Sequence, residues 1–397
     1  METIGKRDLK VPPRAKKIST RNVNSTGEEM SNHQNCPPDA LRTTKNMKAV
    51  VFSEQGGTEV LRWTDVPKPT LNATDILVKV EACAVNYLDI HARRNRPEIA
   101  EKLRRGDTPH ILGSDIAGVV VENRGNTTRA EVSIGTRIVL APCIPCKSCS
   151  DCHRGAENLC ATQQLIGFQT NGGYAEYVKA PAQNAIRMPD ALSFVNAAAM
   201  PIAYLTAWHM LMTRAQLRPG EDILILGAGG SVGSAGLQIA KLAGARIFAT
   251  ASTTEKCERA RELGADVVIH YTERDFSEAV LEETDGRGVD VVLEHVGAAT
   301  WGQSIASLAK NGRLVSCGVT TGNIGEIDIR KMYQKELTLM GSALGTVAEL
   351  RTLIHLAGQG KLEPIIDRVL PLSRASEAHT LLENRQNFGK VCLVQEL

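Results

Sequence analysis

Long apolar runs are missing from this chain. No stretch approaches the eighteen or so consecutive apolar residues that a membrane-spanning helix needs, which excludes a membrane protein. An apolar secretory signal is missing too, and the acids Glu28, Glu29 and Asp39 near the start argue against a transit peptide, so the body is expected in the cytoplasm. Charge of one sign is also missing, since 46 Lys and Arg stand against 44 Asp and Glu. The net of +2 comes from residues 1–46, where nine basic residues face five acids and give +4, leaving −2 for the remainder. No nucleic-acid partner is implied by such a balance. At 397 residues the chain is far too long for a small disulfide scaffold and exceeds the size of one hydrophobic core, so two domains are expected. With 43% hydrophobic and 23% charged residues it reads as a soluble globular protein.

Residues 1–46 are rich in Asn, Ser, Thr and charge without apolar periodicity and are expected to be disordered. The folded body is expected to start at Met47, before the strand-like Lys48 to Phe52. From there to about residue 202 short β-like runs, Ile76 to Val80, Ala117 to Glu122, Arg137 to Ala141 and Tyr174 to Lys179, predict a β-rich domain. From residue 203 to about 340 strand-length apolar runs alternate with helical stretches, the pattern of βαβ units and a parallel sheet. Residues 341–397 are mixed in character and are expected to complete the first domain.

The strand Asp222 to Leu226 runs into Gly227-Ala-Gly-Gly-Ser-Val-Gly233 and then an apolar helix. A glycine turn in that position lets the backbone approach a pyrophosphate, which the free N–H groups of the helix start attract. The strict G-x-G-x-x-G spacing is not met, because Ala228 stands at its first position before Gly230 and Gly233. The flanking strand and helix carry the dinucleotide reading, against the alternative of an ordinary tight turn. No acid ends the second strand at Ala249 to Ser252, where NAD-specific folds place one, while Ser252 and Lys256 could hold a 2′-phosphate; NADPH is therefore expected, with Glu255 as the countersign.

Five of ten cysteines fall between residues 143 and 160, and Cys146, Cys149, Cys152 and Cys160 have the spacing C-x2-C-x2-C-x7-C. Four thiolates on one tight lobe predict a structural zinc with no open position for substrate. Iron–sulfur ligation is disfavoured by the spacing and by Ala161 after the last cysteine, and the register beginning at Cys143 stays open.

These features together resemble the medium-chain dehydrogenase/reductase superfamily of zinc alcohol dehydrogenases and quinone oxidoreductases. Gly113-Ser-Asp-Ile-Ala-Gly118, Gly172-Gly-Tyr-Ala-Glu-Tyr177, Thr206-Ala-Trp208 and Gly264-Ala-Asp266 extend the match over residues 48–397. The resemblance implies an α/β architecture: a GroES-like β-rich catalytic domain and a Rossmann-like doubly wound parallel sheet for the cofactor. Cofactor contacts are then expected at Thr206, Ala228, Gly230, Ser231, Val232, Gly233, Ser252 and Lys256, and a homodimer or homotetramer as the assembly.

In the alcohol dehydrogenases of that superfamily a second, catalytic zinc is held by a Cys of A-C-G-V-C-H-T-D, the His of G-H-E and a later Cys. Here Asn86, Ser114 and about Ile202 stand at those places, and an amide, a hydroxyl and an alkyl group do not make a zinc site. Asn86 with Asp89 resembles instead the zinc-independent quinone and enoyl reductases, whose Asn lies beside the nicotinamide. The expected activity is NADPH-dependent hydride transfer to a small-molecule acceptor, a quinone or an α,β-unsaturated carbonyl or thioester, without catalytic zinc and with Asn86, Tyr87 and Ser114 as hydrogen-bond donors. An alcohol dehydrogenase with an unusual proton donor and a non-catalytic nucleotide-binding protein are the alternatives. His209, His295 and His355 are expected to be structural, Trp208 and Trp301 to pack, and the basic stretch His91 to Arg105 to be a solvated loop.

Overall fold

The computed structural model describes residues 45–106, 109–125 and 132–396. The tail expected over residues 1–46 lies outside them apart from Lys45 and Asn46, and Asn46 already opens the first strand.

The first region is built on β1 (Asn46–Phe52), β2 (Arg62–Pro67), β3 (Asp75–Ala84), β4 (His110–Ile111), β5 (Asp115–Asn123) and β6 (Arg137–Leu140). The small strands β7 (Cys143–Ile144) and β8 (Gln164–Leu165) pair at the cysteine lobe, and β9 (Tyr177–Pro181) and β10 (Ala185–Arg187) follow. β3 is central because eight of its residues, all but Lys79 and Glu81, are buried, and it pairs antiparallel with β5 and β9. Between β3 and β4 the chain forms α1 (Tyr87–Arg94) and α2 (Pro97–Arg104), so the basic stretch is not a loop. Asp89, Ala92 and the fully buried Arg93 share one face of α1 at helical spacing, Ile99 is buried in α2, and Pro97 starts that second helix at its first turn.

The second region begins after α4 (Phe194–Ala198) and α5 (Ala203–Trp208). Its strands β11 (Asp222–Ile225), β12 (Arg246–Ala251), β13 (Val267–His270), β14 (Val289–Glu294), β15 (Leu308–Ser316) and β16 (Thr338–Gly341) are parallel, in the order β13-β12-β11-β14-β15-β16. Crossovers run through α6 (Ser231–Ala243), α7 (Thr254–Glu262), α8 (Phe276–Glu283), α9 (Ala298–Ala306) and α10 (Ile329–Gln334). This is the doubly wound order, with its switch point between β11 and β14, where ligands bind at the carboxyl ends of the strands. Successive residues of β11 face opposite ways: Ile223 and Ile225 join a core with Leu205 and Leu353, whereas Leu224 and Leu226 join Phe248 and Val292. After α11 (Val347–Gly358) come β17 (Ile366–Pro371), α12 (Ala375–Glu383) and β18 (Lys390–Val394), and β18 returns to the first sheet antiparallel to β3. The core containing Ile223 also contains Ala82, Ala117 and Val139, so one apolar body spans both sheets. Among the described residues no helix is long and apolar enough to cross a membrane.

Candidate active site

The glycine turn joins β11 to α6, with Gly230 as the residue before the helix. Gly227 has φ +56, and a Cβ on Gly233 would lie 2.3 Å from the Gly227 carbonyl oxygen, so only glycine permits this close return of the chain. Gly227 N donates to Thr250 Oγ1 at 2.9 Å and Ala228 N to the Thr250 carbonyl at 2.9 Å, tying the turn to the end of β12. Ser231, Val232 and Gly233 form the first helical turn, whose N–H groups have no partner within the helix, and Ala228 is buried beneath. A diphosphate fits this cradle. His295, after β14, reaches the turn from the switch point: its Nε2 lies 2.7 Å from the Leu226 carbonyl, and burial lowers its pKa.

Ser252 and Lys256 flank the start of α7, which Thr253 caps by accepting from Lys256 N at 3.2 Å. The Lys256 ammonium donates to the Arg385 carbonyl at 2.6 Å. That carbonyl belongs to a stretch, Arg385 to Lys390, laid along the glycine turn: Gly389 N donates to the Gly229 carbonyl at 2.9 Å and Ser231 Oγ to the Gly389 carbonyl at 3.2 Å. Thr206 is buried in α5.

The three segments that would carry metal ligands meet at Asp115. Its Oδ2 accepts from Asn86 Nδ2 at 2.9 Å and from Lys390 Nζ at 2.7 Å, and its Oδ1 from Ile202 N at 2.7 Å. Lys390 Nζ also donates to Asn86 Oδ1 at 2.7 Å and to the Val85 carbonyl at 3.1 Å. The hydroxyls of Ser114 and Tyr87, expected as donors to a ligand, both have acceptors within the chain. Each has a single hydroxyl proton, and Ser114 gives its own to the Ile166 carbonyl at 2.6 Å, Tyr87 to the Leu382 carbonyl at 2.8 Å. Asn86 alone of the three keeps a loosely held hydrogen, since its second contact, to the Ala84 carbonyl, is 3.4 Å long.

Behind Asn86 lies Asp89, buried, accepting from Asn86 N at 2.8 Å, Gly113 N at 3.2 Å and the Tyr174 hydroxyl at 3.3 Å. Burial pushes its carboxyl up to about 7. Tyr174 in turn lies 3.2 Å from His379 Nε2.

The thiol sulfurs of Cys146, Cys149, Cys152 and Cys160 lie within 4.8 Å of one another, close enough for one tetrahedral ion. Cys149 precedes the single turn α3 (Ser150–His153), which brings Cys152 back to 3.5 Å from it. Hydrogen bonds, those of Ser148 first, pull the Cys146 thiol down, and desolvation pushes that of Cys152 up. Cys143, the other possible start of the register, sits buried in β7 outside this four-sulfur cluster.

Sequence comparison matches residues 72–190 to the alcohol dehydrogenase GroES-like domain and residues 231–359 to the zinc-binding dehydrogenase family. An NAD-dependent alcohol dehydrogenase of Sulfolobus acidocaldarius is 31% identical over 349 residues, covering 87% of this chain and 99% of that one. This chain belongs to the medium-chain dehydrogenase/reductase superfamily. A crotonyl-CoA reductase of Streptomyces avermitilis is 29% identical over 359 residues, covering 82% of this chain and 80% of that protein. The solved structure of the crotonyl-CoA carboxylase/reductase AntE in complex with NADP superposes with a TM-score of 0.83 at 28% identity, over 90% of this chain and 96% of that one.

As a member of this superfamily the protein is an oxidoreductase that works with a nicotinamide cofactor. Its site contains two residues that the sequence reading passed over. Asp115 lay unremarked inside the Gly113-Ser-Asp motif, and Lys390 showed only as a cation opening the apolar run Val391 to Val394. His209, expected to be structural, has its Nδ1 2.9 Å from Glu349 Oε1 and its Nε2 3.5 Å from Asn158 Nδ2. His355 meets Gln359 at 2.8 Å, and Trp208 and Trp301 are half-buried against apolar cores.

Proposed function

We propose that the protein is an NADPH-dependent reductase that transfers hydride to a quinone or to an α,β-unsaturated carbonyl or thioester, with no metal ion at the reacting centre. The observation that carries this reading is the Asn86–Asp115–Lys390 cluster, which puts an amide and an ion pair where three segments would otherwise bring metal ligands together. Bound NADPH supplies the hydride. The glycine turn and the first turn of α6 hold its diphosphate, and Ser252 and Lys256 read the 2′-phosphate, Lys256 exchanging the Arg385 carbonyl for it. The loosely held hydrogen of Asn86 Nδ2 exchanges its 3.4 Å contact with the Ala84 carbonyl for the acceptor oxygen that gains charge, and water gives the final proton. Conjugated acceptors suit this modest equipment because their own π-system spreads the charge. The likeness to crotonyl-CoA reductases supports an enoyl thioester as one such acceptor.

The four cysteines hold one zinc, closed by protein ligands and structural in role. Val319, Ile324, Ile329 and Tyr333 are exposed on the connection from β15 to β16 and support a homodimer or homotetramer through that segment. A second reading, an alcohol dehydrogenase with a proton donor other than zinc-bound water, is favoured by the relatives bearing that name. Absorbance of NADPH followed across quinones, enones and enoyl thioesters tests the first reading, and alcohols with oxidised cofactor test the second. Turnover of alcohols alone, abolished by chelators, would discard the first.

A further inference from the structure

We infer that Lys390 is the positioning residue of this site: its ammonium orients and polarises the Asn86 amide, so that one amide hydrogen is held for the reacting oxygen. The inference rests on the reading of Asn86 as the donor given above.

Lys390 is 1% exposed, and its three N–H groups are all engaged, by Asn86 Oδ1, Asp115 Oδ2 and the Val85 carbonyl. None is left for a substrate, so the lysine acts through a partner. That partner is bracketed: Asn86 accepts from the ammonium at one end of its amide and donates to the Asp115 carboxylate at the other. Turning the amide over would set its NH2 against the ammonium and its oxygen against the carboxylate, so a single orientation survives. A cation on the amide oxygen also draws charge from the nitrogen, which strengthens the remaining N–H as a donor in a water-poor site.

The chain around Lys390 has a second attachment that gives this arrangement its reach. Gly389, one residue before, donates to the Gly229 carbonyl and accepts from Ser231 Oγ, both in the glycine turn. One short stretch thus sets the cofactor cradle and the Asn86 amide together. Asp115 offsets the lysine charge and anchors the N-terminus of α5 through Ile202 N, so the ion pair also ties together the segments that a metal would tie.

The test is a double-mutant cycle on the full chain, with NADPH oxidation, NADPH affinity by fluorescence titration and thermal melting measured for Lys390→Met, Asn86→Ala and the pair. Lys390→Met is expected to lower kcat on the order of tenfold or more, with NADPH affinity within about threefold of wild type. Because the lysine acts through Asn86, the double variant should be no slower than Asn86→Ala by more than about twofold. Additive losses, or an unchanged kcat in folded Lys390→Met, overturn the inference. Should Lys390→Met not fold, Lys390→Gln combined with Asp115→Asn removes both charges while keeping hydrogen-bonding groups, and the same loss of kcat is expected. The side-chain amide resonance of Asn86, identified by its loss in Asn86→Ala, separates this inference from the proposed reaction. If the wild type reduces none of the acceptors, the reaction is wrong, but the resonance must still move when Lys390 is replaced. An unmoved resonance overturns the positioning role by itself.

Discussion

Lys390 and Asp115 form an ion pair at 2.7 Å with side chains 1% and 0% exposed. Two charges are held out of water in this way only with further hydrogen bonds, and here Asn86, Val85 and Ile202 supply them. The pair joins β5 to β18, residues 275 apart in the chain, one residue from the contacts of Gly389 with the glycine turn.

Asn86→Ala is expected to lower turnover on the order of a hundredfold, the usual scale for losing a donor to developing charge. Tyr87→Phe and Ser114→Ala should leave kcat within about twofold, because their hydroxyls serve Leu382 and Ile166 rather than a ligand. Ser114→Ala should instead lower the melting temperature, since a buried carbonyl loses its donor. Steady-state kinetics and melts of the three variants check this, and a hundredfold loss in Tyr87→Phe would restore the phenol as a donor.

Lys256→Ala should raise the KM for NADPH on the order of tenfold and leave that for NADH nearly unchanged, because one charge-assisted hydrogen bond to the 2′-phosphate is lost. Its ammonium lies beside the glycine turn, and burial lowers its pKa. Equal effects on both cofactors would remove Lys256 from 2′-phosphate recognition.

Purified protein should carry about one zinc per chain. Cys149→Ala should lose the metal and melt at lower temperature, whereas Cys143→Ser should keep it, because Cys143 lies outside the sulfur cluster. Metal analysis alongside thermal melts decides between one site and two.

Acid should destabilise the fold through two buried histidines. Burial, with Arg93 nearby, pushes His379 down to about 3, and burial with Lys102 does the same to His110. The unfolded chain takes up those protons near 6.5, so this stability is present above about pH 6.5 and is lost as the pH falls toward 3. Asp89 has the opposite sign: raised to about 7, it favours the fold below about pH 4 and loses that contribution as the pH rises through 7. In urea melts at about pH 7 and pH 4.5, His379→Gln should lessen the acid loss and Asp89→Asn should deepen it. The reverse pattern would show that these groups do not titrate as their burial dictates.

The sequence by itself determined what neighbouring residues decide. Cys146, Cys149, Cys152 and Cys160 lie within fifteen residues, so spacing alone brings their sulfurs together, and the cluster was readable before any fold was known. The glycine turn was readable for the same reason, as a strand, a turn and a helix in succession. That Asn86, Ser114 and about Ile202 stand where the resemblance places metal ligands needed only motif comparison. What those residues do instead was decided by tertiary structure. Which way the Asn86 amide faces depends on the register of β18 against β3, which sets Lys390 beside it, and on β5, which sets Asp115 beneath it. The hydroxyls of Ser114 and Tyr87 look equally available in sequence, yet their acceptors stand 52 and 295 residues away. Arg93 read as one more cation in a solvated loop until the packing of α1 buried it. A hydrogen bond is settled over about three ångströms of space, and strands paired across the length of the chain determine which atoms come that close.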